Sequence, residues 1–301
     1  MTNEPTDVGG SSPGPAVATG TAPREGGSGA TGHDGRPARG APLPGAAPIS
    51  NRLSPGQFLA GVRVIAGREL GAYFGSGIAV VYTVAFVILS NSIFMNEFFL
   101  SGRIDMRPYF ETMPLLLAVF LPAVTMRSWA EERKGRTIEL LLTLPIVPLQ
   151  ATLGKFLAAL ALYAFFLLGS VPIVIMLAAL GQPDFGQIAA GYLGLIALGM
   201  LLLSAGTFLS ALSGDQIIAF VTSALLAFAL VLTGNDRVVA VLDGLFPALG
   251  LGTFLLETVS IAPHYGAFVA GAVPLSAVLY FGLGSAAFLW INALVIERNR
   301  A

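Results

Sequence analysis

The chain contains no cysteine, only two histidines and few charged side chains. The absence of cysteine from 301 residues excludes disulfides, thiolate metal sites and cysteine nucleophiles. His33 and His264 lie in distant, unlike segments, so a metal site or a catalytic triad built on paired histidines is not expected. Charged residues make up 11% of the chain, against about 25% in soluble domains. With 55% hydrophobic residues, the composition is that of an integral membrane protein.

Two further absences concern partners and cofactors. A net charge of −1 leaves no basic surplus to neutralise phosphates, so nucleic acid is not an expected partner. The sequence has no G-x-x-x-x-G-K-[ST] phosphate loop, so the chain is not expected to hydrolyse ATP or to hold a cofactor itself. A membrane-embedded enzyme would have little chemistry available without a histidine pair, a cysteine or clustered intramembrane acids, so we expect a chain that is not an enzyme.

Residues 1–50 differ in composition from the rest of the chain. They contain 11 Gly and 8 Pro, no aromatic residue and no apolar run. Such a segment buries too little apolar surface to offset its chain entropy, and it lacks the apolar core of a secretory signal. The sequence thus predicts a disordered tail, a helix over residues 54–74, and a membrane domain over residues 75–301.

Six stretches are long and apolar enough to cross a bilayer, which takes about 20 residues. They cover residues 77–95, 109–125, 154–180, 187–212, 216–233 and 272–296. No Asp, Glu, Lys or Arg occurs in residues 156–180, 185–214 or 258–296. Since one charge at mid-helix costs about 2.5–3.5 kcal/mol on insertion scales, these gaps predict membrane spans. The expected fold is all-α, with six transmembrane helices.

Lysine and arginine near the span ends predict the orientation. With a cytoplasmic N-terminus, the inner segments carry ten of these residues: Arg52, Arg63, Arg68, Arg127, Arg133, Lys134, Arg136, Lys155, Arg298 and Arg300. The outer segments carry three: Arg103, Arg107 and Arg237. This bias predicts a multi-pass protein of the cell (inner or plasma) membrane with both termini in the cytoplasm.

Residues 244–262 are apolar but do not form a regular span pattern. They carry one charge, Glu257, and are interrupted by Pro247 and two glycines. A seventh span here would place Arg298 on the outer side, against the charge bias. We interpret the stretch as a re-entrant or interfacial hairpin on the outer face, packed against other helices.

The helix ahead of the first span is predicted to be amphipathic. Ser54 and Gln57 have the spacing of a capping box, and a proline follows the cap. Val62 and Ile65 belong to the apolar face, whereas Glu69 is expected largely elsewhere. We expect this helix to lie at the cytoplasmic interface, the alternative being an ordinary soluble helix before a membrane anchor.

The loop between the second and third spans is the most charged part of the chain. Residues 127–139 hold seven of its 33 charged residues within 13 positions. Ser128 and Glu131 have capping-box spacing, and an apolar face that includes Leu141 follows. Basic residues alone would be enough to keep this loop on the cytoplasmic side of the membrane, but here acidic and basic residues are interleaved. Mixed charge beside an apolar stripe suits a groove on a protein, so we expect this loop to bind a partner.

The same loop resembles the signature of the ABC-2-type transporter permeases, and most closely their gliding-motility and copper-maturation subgroup. The resemblance rests on Met126-Arg127, Ala130-Glu131-Glu132-Arg133, Gly135 and residues 137–145. Arg68-Glu69-Leu70, with Tyr73-Phe74-Gly75-Ser76, is similar to that subgroup's entry into its first span, and Gly154-Lys155-Phe156-Leu157-Ala158 to its entry into the third. Gly77 departs from the pattern, because relatives usually have proline there.

The resemblance implies the permease subunit of an ATP-driven ABC transporter, with export as the expected direction. In that family an interfacial helix precedes six spans, the loop between spans two and three docks into a groove on a separate ATPase subunit, and a re-entrant element precedes the last span. ATP and Mg would be bound by that partner. The ATPase acts as a pair, so a second permease copy, in a homodimer or a heterodimer, is expected in the bilayer. The residues expected to couple the subunits are Arg127, Glu131, Glu132, Arg133, Gly135, Thr137, Glu139 and Leu141.

Two other functions stay open at this point. The gliding-type resemblance allows a membrane anchor that recruits an ATPase to a motility or assembly machine. An ion-driven secondary transporter is the second alternative. Such transporters commonly keep ionisable residues or broken helices at mid-membrane, whereas the predicted spans are almost free of charge.

Three local patterns also predict structure. Residues 212–216, Leu-Ser-Gly-Asp-Gln, resemble the signature pentapeptide of ABC ATPase domains, but they lie between two spans and no phosphate loop accompanies them, so we interpret them as a tight turn. Pro122 and Pro172 are expected to kink their spans. Four glycines predict close helix approach in the fourth span, namely Gly191, Gly194, Gly199 and Gly206.

Overall fold

The computed structural model describes residues 54–135, 147–245, 251–258 and 260–298. The regular structure in these ranges is α-helical, without a strand. The helices are α1 (Pro55–Gly75), α2 (Ile78–Ser101), α3 (Arg107–Thr125), α4 (Ala130–Lys134), α5 (Pro148–Leu168), α6 (Val171–Leu180), α7 (Phe185–Leu212), α8 (Gln216–Leu232), α9 (Asp236–Leu245), α10 (Leu251–Thr258), α11 (Ala262–Val269) and α12 (Leu275–Arg298). The predicted tail lies outside the described residues.

Five stretches of the described chain are long and apolar enough to cross a membrane. They are Ala79–Ser101, Arg107–Lys134, Pro148–Leu180, Phe185–Leu212 and Leu275–Arg298. A sixth candidate is α8 with residues 237–244, two helices that bend by 94°. The all-α, multi-span character predicted from the sequence is therefore confirmed, with five spans, or six if the bent pair forms one.

Helix α1 begins with the predicted capping box. Ser54 Oγ accepts a hydrogen bond from Gln57 N at 3.3 Å, and Gln57 Oε1 accepts one from Ser54 N at 3.1 Å. Its apolar face packs closely against α5. The approach is so close at Gly154 of α5 that a Cβ there would lie only 2.6 Å from Ile65 Cγ2. Val62 and Ile65 are buried in this contact. Burial against another helix is thus part of what holds α1 in place.

Gly77 forms the junction between α1 and α2. Its φ angle is +65°, in the left-handed region that only glycine adopts without strain. Proline, with φ held near about −65°, cannot take this conformation. A proline at position 77 would therefore require a different backbone conformation at the junction between α1 and α2.

The third span is broken between α5 and α6, just ahead of Pro172. Proline lacks the N–H that would continue the helical ladder, and Ile173 N bonds instead to Ser170 O at 3.0 Å. The carbonyl of Gly169 accepts a hydrogen bond from Asn91 Nδ2 of α2 at 3.1 Å. An amide from a neighbouring span thus satisfies a carbonyl at the break, whereas α3 continues through Pro122 without interruption.

Helix α7 packs against α3, α5, α8, α11 and α12. Four of its glycines make this possible, because a Cβ at each would press on a neighbouring side chain: Gly191 on Phe110, Gly194 on Phe268, Gly199 on Tyr163 and Gly206 on Thr125. Tyr163 also donates a hydrogen bond to the carbonyl of Leu195 at 2.8 Å. The predicted role of these glycines in close packing is confirmed.

The predicted hairpin over residues 244–262 is described only in part, since residues 246–250 and 259 lie outside the described ranges. Helix α10 begins at a cap from α9: Asp243 Oδ1 accepts hydrogen bonds from Gly252 N and Thr253 N. Helices of ten and eight residues are too short to cross a bilayer. The described part therefore contains no single seventh span here.

Candidate functional site

Helix α3 runs between two ends of the helix bundle. At one end, which we call the Trp129 end, lie residues 126–135, the first turns of α5 and the turn that joins α7 to α8. At the other, the Arg107 end, α3 begins and α11 lies nearby. The described part of the charged loop belongs to the Trp129 end.

A serine hydroxyl on α7 holds the start of α4. Ser210 Oγ accepts hydrogen bonds from Trp129 N at 3.0 Å and Ala130 N at 3.2 Å, and it donates to Met126 O at 3.1 Å. The first N–H groups of a helix lack partners within the helix, so this hydroxyl replaces a cap. The predicted cap at Ser128 is wrong: its Oγ is buried and has no partner in the described part of the chain.

Lys155 lies at the centre of an ion-pair cluster. Its side chain, only 3% exposed, reaches from α5 to Glu69 Oε1 at 3.1 Å and to Glu132 Oε1 at 2.9 Å. The ammonium also lies 5.0 Å from the centroid of the fully buried Trp129 ring, a distance suited to a cation–π contact. One buried charge thus joins α1, α4 and α5.

The position of Glu69 corrects the sequence prediction. It was expected largely away from the apolar face of α1, but seven residues is close to two helical turns, so Glu69 follows Val62 on the side that faces α5. Burial raises the pKa of Glu69, but Lys155 and Arg68 lower it more strongly, and the net effect is a pKa below its ordinary value. Arg68 completes the cluster, with Nη2 at 2.7 Å from Glu69 Oε1 and 3.4 Å from Glu132 Oε1.

Two more ion pairs flank α4. Arg127 forms a two-point contact with Glu131, with Nε–Oε2 at 3.0 Å and Nη2–Oε1 at 3.2 Å. Lys134 Nζ lies 3.5 Å from Asp215 Oδ2 in the turn between α7 and α8. Asp215 also caps α8, and the hydrogen bond from Ile217 N, together with Lys134, lowers its pKa. The interpretation of residues 212–216 as a turn is confirmed.

The structure brings together only some of the predicted coupling residues. Glu132 joins the Lys155 cluster, and Arg127 pairs with Glu131. Arg133 is half-buried, its Nε having no partner in the described ranges, and α4 ends just before Gly135. Thr137, Glu139 and Leu141 lie outside the described residues.

Sequence reasoning missed three side chains that build this end. Lys155 is a lone charge at the edge of a long charge-free stretch, which was a signal that it has a buried partner. Asp215 belongs to a turn of the chain, and Ser210 sits among apolar residues of α7. No sequence pattern pointed to the last two as contacts of α4, because each lies about 80 residues away.

Comparison with known proteins gives no family assignment. No protein-family model matches the chain, and no curated protein matches it. The function is therefore inferred from the geometry of the Trp129 end together with the sequence patterns that lie there.

Proposed function

We propose that the chain is the membrane-spanning permease subunit of an ATP-driven ABC-type exporter. A separate ATPase subunit would bind ATP and Mg, and a second permease copy would complete the transporter. The observation that carries the proposal is that the start of the charged loop is tied by hydrogen bonds and ion pairs to α1, α5, α7 and the turn before α8.

This arrangement suits the transmission of force. A loop on a flexible tether would absorb a push by bending. Here the backbone at Trp129 and Ala130 is held by Ser210, and Glu132 is held by a buried ammonium. A force applied to residues 131–135 would therefore act on three spans at once. To do work, the ATPase must bind this surface more tightly in one nucleotide state than in the other.

The surface left for such a partner is small, charged and mixed in sign. Glu131, Lys134 and Gly135 are exposed, while Glu132 faces inward. We propose that the exposed residues, with Thr137, Glu139 and Leu141 of the following segment, contact the ATPase. Interleaved acids and bases fit a complementary groove on a protein, which also fixes the register of docking.

The test is recovery of an ATPase with the tagged chain from its native membranes. Glu131→Lys is expected to lower the ATP hydrolysis recovered with the chain about tenfold, because it places a repelling charge in the docking surface. Glu97→Lys is the control: Glu97 is likewise an exposed glutamate, but it lies near the end of α2, outside the charged loop. Equal loss in both variants, or no ATPase with the wild-type chain, would contradict the proposal.

The proposed orientation has its own test. Because the chain has no cysteine, Gly135→Cys and Asp236→Cys can be labelled with a membrane-impermeant maleimide without background. Gly135→Cys should react only from the cytoplasmic side and Asp236→Cys only from outside. Reaction of the first variant from outside would refute the assigned orientation.

A membrane anchor that recruits an ATPase would use the same loop, so the cluster alone does not separate the two functions. Measurements on the protein reconstituted into vesicles separate the exporter from the anchor. An exporter with its ATPase shows ATP hydrolysis that depends on a cargo and is uncoupled by Lys155→Met, whereas an anchor shows hydrolysis indifferent to that change. Transport that persists on an ion gradient without ATP would favour the secondary-transporter alternative.

A further inference from the structure

We propose that a cleft at the Arg107 end of the bundle binds one amphiphilic molecule with a zwitterionic head, a phosphate and an ammonium group joined to an apolar chain. The cleft has a volume of about 260 Å³ and lies between α3, the end of α8 and α11. The proposal concerns binding alone and does not depend on ATP-driven transport.

The wall that α3 gives to the cleft changes from charged to apolar along its length. Arg107, Glu111 and Pro114 line it at successive helical turns, so that along the helix axis Pro114 lies about 10 Å from Arg107 and about 4.5 Å from Glu111. Val231 of α8 and Val269 of α11 add apolar side chains to the lining of the same cleft. An amphiphile has the same gradient, with its head at one end and its chain at the other.

The two charges at the mouth match a zwitterion. Arg107 Nε donates to Glu111 Oε1 at 2.8 Å, and both side chains are more than half exposed. A guanidinium has five N–H donors and a carboxylate two oxygens, so this single bond leaves capacity on both groups. A phosphate would bind the guanidinium, and an ammonium the second carboxylate oxygen, through charge-assisted hydrogen bonds.

The interior of the cleft has room that the protein itself does not fill. Gly266 of α11 lines it, and a Cβ at that position would meet no atom of the described part of the chain within 4 Å. The neighbouring Tyr265 is fixed as a wall, because its hydroxyl donates to Phe110 O at 2.8 Å. A Cβ on Gly234 would collide with Ala262, so the chain just after α8 packs closely against the start of α11.

The depth of the cleft also fits a lipid-like ligand. Arg107 is the first residue of α3, a membrane-crossing helix, so the mouth lies where headgroups meet the hydrocarbon region. Two larger apolar cavities lie along α7, one of about 450 Å³ beside Tyr163 and one of about 310 Å³ beside Gly282. Among the described residues, none that lines either cavity is charged, so these cavities suit acyl chains but cannot select a headgroup.

The test uses the full chain, purified in detergent and stripped of lipid, and titrated with dioleoylphosphatidylethanolamine while bound lipid is counted by native mass spectrometry. Three other probes separate head from chain: dioleoylphosphatidylglycerol, diolein and free O-phosphoethanolamine. We expect one phosphatidylethanolamine per chain, bound at least tenfold more tightly than each of the three. Equal binding of diolein would overturn the proposal, because the site would then recognise only the acyl chains. Equal binding of O-phosphoethanolamine would also overturn it, because the site would then recognise only the headgroup.

Variants locate the binding. Gly266→Leu fills the cleft and is expected to weaken binding of phosphatidylethanolamine at least tenfold. Gly282→Leu is the control. A Cβ built on Gly282 would also meet no atom of the described residues within 4 Å, but Gly282 lines the cavity of about 310 Å³, whose described lining is uncharged. Glu111→Gln, at a position that is more than half exposed, should abolish the preference for phosphatidylethanolamine over phosphatidylglycerol. Unchanged preference in Glu111→Gln, or equal weakening by both leucine variants, would overturn the assignment.

Discussion

Replacing Lys155 by methionine is expected to loosen the joint between α1, α4 and α5. Methionine keeps the length of the side chain but removes the charge that contacts Glu69 and Glu132. Both carboxylates are less than one-fifth exposed, so water can replace the lost ammonium only in part. The partly exposed Arg68 would remain as their cationic partner.

The size of the effect follows from these contacts. Each charge-assisted hydrogen bond is worth about 1.5–3 kcal/mol, and the contact with the Trp129 ring about 0.5–2 kcal/mol. Methionine avoids the cost of burying an ammonium, which is several kcal/mol. Removal of one partner from a buried ion pair typically costs about 3–5 kcal/mol. Because Arg68 remains, we expect the low end, about 3 kcal/mol.

The matched control is Lys134→Met at the same end of the bundle. Lys134 is 67% exposed and lies 3.5 Å from Asp215, and exposed pairs of this kind contribute about 1 kcal/mol or less. Both variants remove one positive charge from the Trp129 end. The difference between them therefore measures burial of the ion pair and not net charge.

Thermal unfolding in detergent, followed by tryptophan fluorescence, is the assay. One of the chain's two tryptophans, Trp129, lies beside the ammonium. At about 2–4 °C per kcal/mol for chains of 150–250 residues, Lys155→Met should lower Tm by roughly 6–12 °C, and Lys134→Met by no more than about 4 °C. Equal shifts in the two variants would refute the reasoning. So would additivity, within about 0.5 kcal/mol, of Lys155→Met with Glu69→Gln, because residues in contact should be coupled.

Three further outcomes are expected. Burial raises the pKa of Glu69, but its cationic neighbours lower it more, so its pKa in the folded protein is below the ordinary value of 4.5. The ionised carboxylate therefore adds stability above pH 4.5, and this stability is lost as the pH falls through the lower folded-state pKa. Below pH 4.5 the Tm of the wild type should fall more steeply than that of Glu69→Gln. Gly199→Ala places a Cβ against a tyrosine ring and should cost about 1–3 kcal/mol in thermal unfolding, whereas Gly282→Ala, whose Cβ meets no atom within 4 Å, should not destabilise the protein. Asn91→Leu removes the hydrogen bond to the carbonyl of Gly169 at the broken span and should cost about 0.5–2 kcal/mol; a Tm equal to that of the wild type would show that this bond contributes nothing.

Much of the fold follows from patterns that are local in the chain. Long apolar runs predicted the spans, because a helix in lipid must satisfy its own backbone and expose apolar side chains. The capping box at Ser54 and Gln57 was predicted correctly, since both partners lie within one turn. Glycines in α7 predicted close packing for a similarly local reason: the absence of a side chain is a property of the residue itself.

Errors arose where the partner lies far away in sequence. Ser128 and Glu131 had the right spacing for a cap, yet Ser210 on α7 supplies the hydrogen bonds. Glu69 was expected largely away from the apolar face of α1. A carboxylate on such a face is unfavourable until a cation meets it. That cation, Lys155, comes from a helix 86 residues later.

The sequence by itself determined that this chain is helical, membrane-spanning and charged at one loop, because hydropathy and helix propensity are properties of short segments. Only the tertiary structure decided which charges of that loop are buried, since burial and pairing depend on how α1, α5 and α7 meet. It also decided where Arg107 and Glu111 lie relative to α11, and hence that a charged mouth opens on an apolar cleft. Interactions between distant segments leave no periodic pattern in either segment, which is why no reading of one stretch could have found them.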